Sequence, residues 1–257
     1  MAVTIVLTNQ KGGVGKTTSS AALAVGLHQA GYKVLAVDLD SQGNLGFSLG
    51  LDIEKGHTVY EVLKGEISVK DAIRHTEDYV DILTSNILLS EAELLLTGSD
   101  RQVQLKNILH EVSNDYDYIV IDTPPALNIL TVNGYIAADY LVIPMAAEIL
   151  SLVGLIQLKE TIEGVQTTMN PSLNVLGILM TKYNKRTKLS REVLEMAETV
   201  ASQIGTKVFD TKIRNGVAAA EAPAHGLSIF DYAPRANPTI DYREFVKEAV
   251  QNMSKGA

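Results

Sequence analysis

Residues 3–17 read Val3-Thr4-Ile5-Val6-Leu7-Thr8-Asn9-Gln10-Lys11-Gly12-Gly13-Val14-Gly15-Lys16-Thr17. The short apolar run predicts a buried strand over 3–8, and the residues beyond Lys16 predict a helix over 17–30. A glycine-rich turn between the two wraps main-chain N–H groups around phosphate oxygens, with the helix start adding its positive end. Gly12, Gly13, Val14 and Gly15 form that turn. Lys16 would reach the β- and γ-phosphates, the Thr17 hydroxyl would ligate Mg²⁺, and Thr18 follows at the helix start. The pattern K-G-G-x-G-K-T arises by chance in roughly one chain of this length in 10⁵. Gln10 stands where the usual G-x-x-x-x-G-K-[ST] pattern has its first glycine, and Lys11 is a second lysine on the same loop. One lysine implies a bound nucleoside triphosphate. A second lysine at the loop's start suggests a site that two subunits complete together.

Working outward, the 257-residue chain alternates predicted strands and helices. Strands are expected at 3–8, 33–38, 80–84, 117–122, 139–144, 174–181 and 207–210. Helices are expected at 17–30, 88–97, 101–114, 128–137, 151–168, 188–203 and 239–252, with short ones at 58–64 and 68–74. Most strands are continuous apolar runs, as in a sheet covered on both faces. Repeated β-α-β units with right-handed crossovers give an α/β, doubly wound, mostly parallel sheet with helices on both faces. No linker or repeat interrupts it, so residues 1–257 read as a single domain.

Composition narrows the chemistry. The chain has no cysteine, which excludes disulfides, iron–sulfur clusters and thiolate metal sites. No signal peptide is visible and no run of 18 apolar residues occurs, so a cytoplasmic location is expected, with no membrane partner. The net charge of −8 is unevenly spread: residues 180–257 carry 12 Lys+Arg against 9 Asp+Glu.

Two acidic segments complete the phosphate site. Val37-Asp38-Leu39-Asp40-Ser41-Gln42-Gly43-Asn44 closes the second strand, and alternation puts Asp38 and Asp40 on one side of its end. The carboxyl ends of parallel strands are where such sheets bind ligands. Tyr118-Ile119-Val120-Ile121-Asp122-Thr123-Pro124-Pro125 is an apolar strand ending in a carboxylate, and Asp122 is expected to bind Mg²⁺ through a water.

K-G-G-x-G-K-T resembles the deviant Walker A motif of the ParA/MinD family of ATPases, a P-loop NTPase fold. The resemblance implies an ATP-bound sandwich homodimer in which Lys11 reaches the partner's phosphates. It also implies that Asp40 positions the attacking water and Asp38 supports the Mg²⁺ shell. Catalytic residues are then Lys11, Lys16 and Asp40, and metal residues are Thr17, Asp38 and Asp122. Against the family pattern D-x-D-P-Q-G-N, Ser41 replaces proline. Thr123-Pro124-Pro125 resembles the second switch. The adenine pocket is implied around Thr181–Asn184 and Ile213–Gly216, which adds Thr181, Asn184 and Arg214 to the nucleotide contacts. Many relatives read I-P-R-N where this chain has Ile213-Arg214-Asn215-Gly216.

Ser85-Asn86, Leu89-Ser90-Glu91-Ala92-Glu93, Arg186-Thr187-Lys188-Leu189-Ser190, Ala220-Glu221-Ala222-Pro223-Ala224-His225-Gly226 and Tyr232-Ala233-Pro234-Arg235-Ala236 look like the Soj and plasmid ParA branch. That branch implies nonspecific double-stranded DNA binding by the ATP dimer and nucleoid association. It also implies slow intrinsic ATP hydrolysis, stimulated by a ParB-type centromere-binding protein. Lys182, Lys185, Arg186, Lys188, Lys212 and Arg214 are the candidate DNA contacts, with Arg191 and Arg235 beside them. Two further readings are an ATP-clamped positioning scaffold without DNA binding and a P-loop ligase of the dethiobiotin-synthetase type. Lys11 and the D-x-D-x-Q-G-N segment weigh against the ligase.

Overall fold

The computed structural model describes residues 1–76, 79–91, 94, 96–98 and 100–255. Six strands form one sheet: β1 (Val3–Leu7), β2 (Val34–Asp38), β3 (Asp81–Leu83), β4 (Tyr118–Asp122), β5 (Tyr140–Ala146) and β6 (Asn174–Thr181). Their order is β3-β2-β4-β1-β5-β6. Every pairing between them is parallel, so the expected mostly parallel sheet is wholly parallel.

Alternation along each strand feeds two cores. Ile5, Leu7, Ala36, Val120 and Val142 pack on one face, and Val6, Leu35, Val37, Ile121 and Ile143 on the other. Successive side chains of a strand point to opposite faces, so both faces need helices. The first face is covered by α1 (Lys16–Gln29), α2 (Asn44–Ser48), α9 (Ala218–Ala224), α10 (Ile229–Tyr232) and α11 (Asn237–Lys255). The second is covered by α3 (Val59–Leu63), α4 (Val69–Ala72), α5 (Gln104–His110), α6 (Ile129–Ala137), α7 (Ile149–Thr168) and α8 (Lys188–Gln203). Several of these helices begin at side-chain caps. Thr58 and Glu61 form a reciprocal capping box, and Ser68, Asn128, Thr187 and Ser228 accept N–H bonds from the first turns that follow them.

Three expectations change. Residues 207–210 form no strand; Val208 makes one parallel bridge to Ile178. The ladder stops there because Glu248 on α11 takes the N–H groups of Asp210 and Thr211 at 2.7 and 2.9 Å. The helix expected at 101–114 contracts to Gln104–His110. The one expected at 88–97 opens as a 3₁₀ helix over Ile87–Glu91, and part of its remainder lies outside the described residues. The short helices α2, α9 and α10 were not expected.

The order of strands decides where the chemistry sits. β1 lies between β4 and β5, so its loop leaves from mid-sheet. Asp38 and Asp122 are register partners at the ends of β2 and β4. At the far edge of this end, Gly50 (φ +79°) meets Gly226 (φ +64°) main chain to main chain. A Cβ on Gly50 would fall 2.8 Å from the Gly226 oxygen, and one on Gly226 would fall 2.7 Å from the Gly50 Cα.

Candidate active site

The loop grows from a fixed root. Thr8 donates its N–H to Val142 O, and its hydroxyl shares a 2.6 Å hydrogen bond with the buried Tyr135 hydroxyl on α6. Gly15, in a left-handed conformation (φ 86°), opens α1, a geometry that costs a side-chain-bearing residue about 1 kcal/mol or more. Thr181 at the end of β6 donates its hydroxyl to Val14 O at 2.7 Å, bracing the loop from the other side. Lys16 is 7% exposed and its Nζ donates to Lys11 O at 3.3 Å. Burial pushes the Lys16 ammonium below its usual pKa, against the opposing pull of Asp122 and Asp40.

Asp122 sits at the head of α1, fully buried. Thr17 donates its hydroxyl to Oδ2 at 2.6 Å and Ser20 donates to Oδ1 at 2.8 Å. Burial outweighs those bonds and Lys16, and raises the Asp122 carboxyl to about 6. Asp38 beside it is pushed well above the usual range, first by burial and then by Asp122. Its two oxygens accept the N–H groups of Asp40 and Leu45, both at 2.9 Å, so it anchors the loop that follows β2. Asp40 takes the Gln42 N–H at 3.1 Å and lines the cleft. Ser20 escaped the sequence reading. Its signal is a hydroxyl one turn beyond Thr17 on the same helix face.

The donors here are all oxygen: the Thr17 hydroxyl and the Asp122 and Asp38 carboxylates. They suit a hard divalent cation, and a cation would relieve the cost of two adjacent buried carboxylates. Among the described residues no group of three or more His, Cys, Asp or Glu forms a metal cage. Mg²⁺ usually keeps waters and takes phosphate oxygens alongside one or two carboxylates.

The cleft above the loop measures about 620 Å³. Gly12, Gly13, Gly15, Lys16, Thr17 and Thr18 form its floor, and Thr181, Lys182, Arg214 and Tyr242 stand among its walls. Tyr242 holds Ser19 through a 3.0 Å hydroxyl pair. Arg214 is locked to Asp241: Nε and Nη2 approach its carboxylate at 2.9 and 2.7 Å, and the Arg214 N–H donates to it at 2.8 Å. Asn184 lies outside the cleft lining; its Oδ1 accepts the Arg186 N–H at 3.1 Å.

Lys11 points elsewhere. Its Nζ meets Glu148 Oε2 at 2.6 Å and donates to Ser151 Oγ at 3.4 Å, at the head of α7. The bond from Lys11 draws the Glu148 carboxyl below its usual range. The basic segment lies on the surface before and at the start of α8. Lys185, Arg186 and Lys188 are exposed. Lys188 pairs with Glu192 at 3.2 Å, Lys212 donates to Asp210 O, and Arg235 is exposed near α11.

Comparison with known proteins gives this site a lineage. Residues 2–175 match the AAA_31 family model, an AAA domain. The chromosome-partitioning ATPase Soj of Treponema pallidum is 42% identical over 252 residues, 97% of this chain and 98% of that one. The sporulation initiation inhibitor protein Soj of Bacillus subtilis is 40% identical, covering 96% and 98%. This chain belongs to the ParA/Soj family of partitioning ATPases. A crystal structure of a Mycobacterium smegmatis protein named cobyrinic acid a,c-diamide synthase, with bound ADP and magnesium, superposes on this ParA/Soj member with a TM-score of 0.87 at 36% identity. The match covers 100% of this chain and 97% of that one. No helix among the described residues of this ParA/Soj chain is long and apolar enough to cross a membrane.

Proposed function

We propose that residues 1–257 act as one ATPase domain that binds ATP with Mg²⁺, dimerises around the nucleotides and, as a dimer, binds double-stranded DNA without sequence preference. The observation that carries this reading is the divergence of the two loop lysines. Lys16 is buried in its own cleft, while Lys11 turns away from it toward Glu148. A cation so placed serves a second subunit's phosphates better than its own.

Thr17 and Asp122 would hold Mg²⁺, with Asp38 behind them, and the ion would neutralise charge on the β- and γ-phosphates. Lys16 and the N–H groups of residues 12–17 would orient the triphosphate. Thr181 would line the base end of the cleft, with Asn184 and Arg214 on the segments beside it. Asp40 would orient the water that attacks the γ-phosphorus; the bond from phosphorus to the β,γ-bridging oxygen breaks, leaving ADP and phosphate. The partner's Lys11 would meet the charge that develops, the part played elsewhere by an arginine finger. Lys182, Lys185, Arg186, Lys188, Lys212 and Arg214 would contact DNA phosphates. Doubling a modest patch by dimerisation gives an acidic protein a steep, salt-dependent affinity. A ParB-type centromere-binding partner would stimulate hydrolysis and release, placing the protein on the nucleoid in the cytoplasm.

The synthase name on the Mycobacterium smegmatis structure motivates a second reading, a P-loop ligase. A ligase that drew ammonia from glutamine through a thiolate would need a cysteine, and this chain has none.

The test uses Asp40→Ala with ATP. The expected result is a long-lived dimer that retains plasmid DNA and loses it as salt rises. Wild-type hydrolysis in that variant would remove Asp40 from the mechanism, and a dimer that ignores DNA would leave only the scaffold reading.

A further inference from the structure

Strand β1 pairs with β5 as far as Leu7 and Val142, and the Thr8 N–H still reaches Val142 O at 3.1 Å. Beyond that point the main chain turns away into the phosphate loop. The next rung is filled by a side chain: Asn9 Nδ2 donates to Pro144 O at 2.8 Å. The same amide's Oδ1 accepts the Lys11 N–H at 2.9 Å, closing a turn over residues 9–11. Asn9 is 1% exposed. A Cβ placed on Gly154 of α7 would sit 3.6 Å from its Oδ1, so α7 packs against this amide too. One buried carboxamide therefore ties the root of Lys11 to β5, the strand that leads on to Glu148 and Ser151, which hold the Lys11 head.

Few side chains could do this. Aspartate matches the shape and keeps the acceptor but cannot donate to a carbonyl oxygen. Leucine loses both bonds. The other half of the loop has separate supports, since Thr181 holds Val14 O and α1 carries Lys16.

We propose that Asn9 is a positioning residue that fixes where Lys11 leaves the loop, so that its ammonium points out of its own cleft and toward a second subunit. This rests on the proposed role of Lys11 across the dimer. Lys11 would make the catalytic contact, and Asn9 would act through it.

The experiment compares wild type, Lys11→Ala, Asn9→Asp and Asn9→Leu for ATP affinity and for ATP-dependent dimerisation by sedimentation. Asn9→Asp should keep ATP affinity within about threefold and weaken dimerisation about tenfold or more, because the lost donor contact lies at the root of Lys11, and the tie from there to Lys16, Nζ to Lys11 O, is long at 3.3 Å. Proportionate loss of both would make Asn9 a support of the whole loop and overturn the proposal; so would no change in either. Lys11→Ala separates the two levels. If it dimerises normally with ATP, the role across the dimer fails. If it does not, while Asn9→Asp does, the Asn9 proposal alone fails. Amide hydrogen exchange gives a readout independent of activity. In Asn9→Leu, exchange at residues 10–13 should quicken about tenfold with α1 unchanged, and unchanged exchange there would also overturn the proposal. Should Asn9→Leu fail to fold, the Asn9→Asp comparison decides.

Discussion

Replacing Glu148 by glutamine tests the idea that each subunit holds its own Lys11 in reserve. The pair is close, 2.6 Å, but wet: the Lys11 side chain is 26% exposed and that of Glu148 53%. A pair of this kind contributes about 0.5–1 kcal/mol. In the proposed dimer Lys11 would leave Glu148 to reach a second nucleotide, and with two-fold symmetry both pairs would open, so the penalty doubles to about 1–2 kcal/mol. Glu148→Gln removes the charge and keeps the shape. Dimerisation with a slowly hydrolysed ATP analogue should therefore tighten by about 5–30-fold. Sedimentation equilibrium measures it, and the advantage should shrink as salt screens the wild-type pair. Lys11 holds the Glu148 carboxyl below its usual range. The pair is thus intact at and above neutral pH and is lost as pH falls through that lowered value, where variant and wild type should converge. Equal or weaker dimers at neutral pH and low salt would refute the reasoning, because Glu148 would then be doing more in the dimer than in the monomer.

Two further outcomes follow from the geometry. Arg214→Ala should cost about 1–3 kcal/mol in urea unfolding, since it strips the guanidinium from the largely buried Asp241; Arg186→Glu should leave stability within about 0.5 kcal/mol and weaken ATP-dependent DNA retention. Equal effects on stability, or unchanged retention in Arg186→Glu, would dissolve that contrast. Tyr135→Phe should lose about 1–2 kcal/mol by orphaning the Thr8 hydroxyl at the root of the loop, and an unchanged unfolding midpoint would show the hydroxyl pair to be dispensable.

The phosphate loop, Asp38 and Asp122 were legible in the chain because each is local: a strand pattern followed at once by a polar residue at its carboxyl end. The parallel sheet was legible for a related reason, since strands buried on both faces read as unbroken apolar runs. Contacts that join distant segments left no such trace. Lys11 and Glu148 are 137 residues apart, and neither neighbourhood announces the other. Ser20 looks like any small residue on α1 until Asp122 is placed opposite it. Val208 and Phe209 have the apolar character of a strand, and the Phe209 N–H does reach Ile178 O, yet Glu248 from the last helix claims the N–H groups of Asp210 and Thr211 that would carry the ladder on. Helix α9 carries Pro223 within it, a residue that reads as a break.

The meeting of Gly50 and Gly226 sets a tolerance for the whole nucleotide end. Side chains at a joint can absorb a shift by changing rotamer, but here backbone rests on backbone with nothing between to yield. Residues 40–50, which carry Asp40 and α2, therefore cannot slide past the turn between α9 and α10; they either move together or part company. Since α9 supplies a wall of the cleft, the cleft's width is geared to the position of the loop after β2. A single methyl group at either glycine would act as a shim in that gear, and its effect would be read at the nucleotide, some distance from where it was placed.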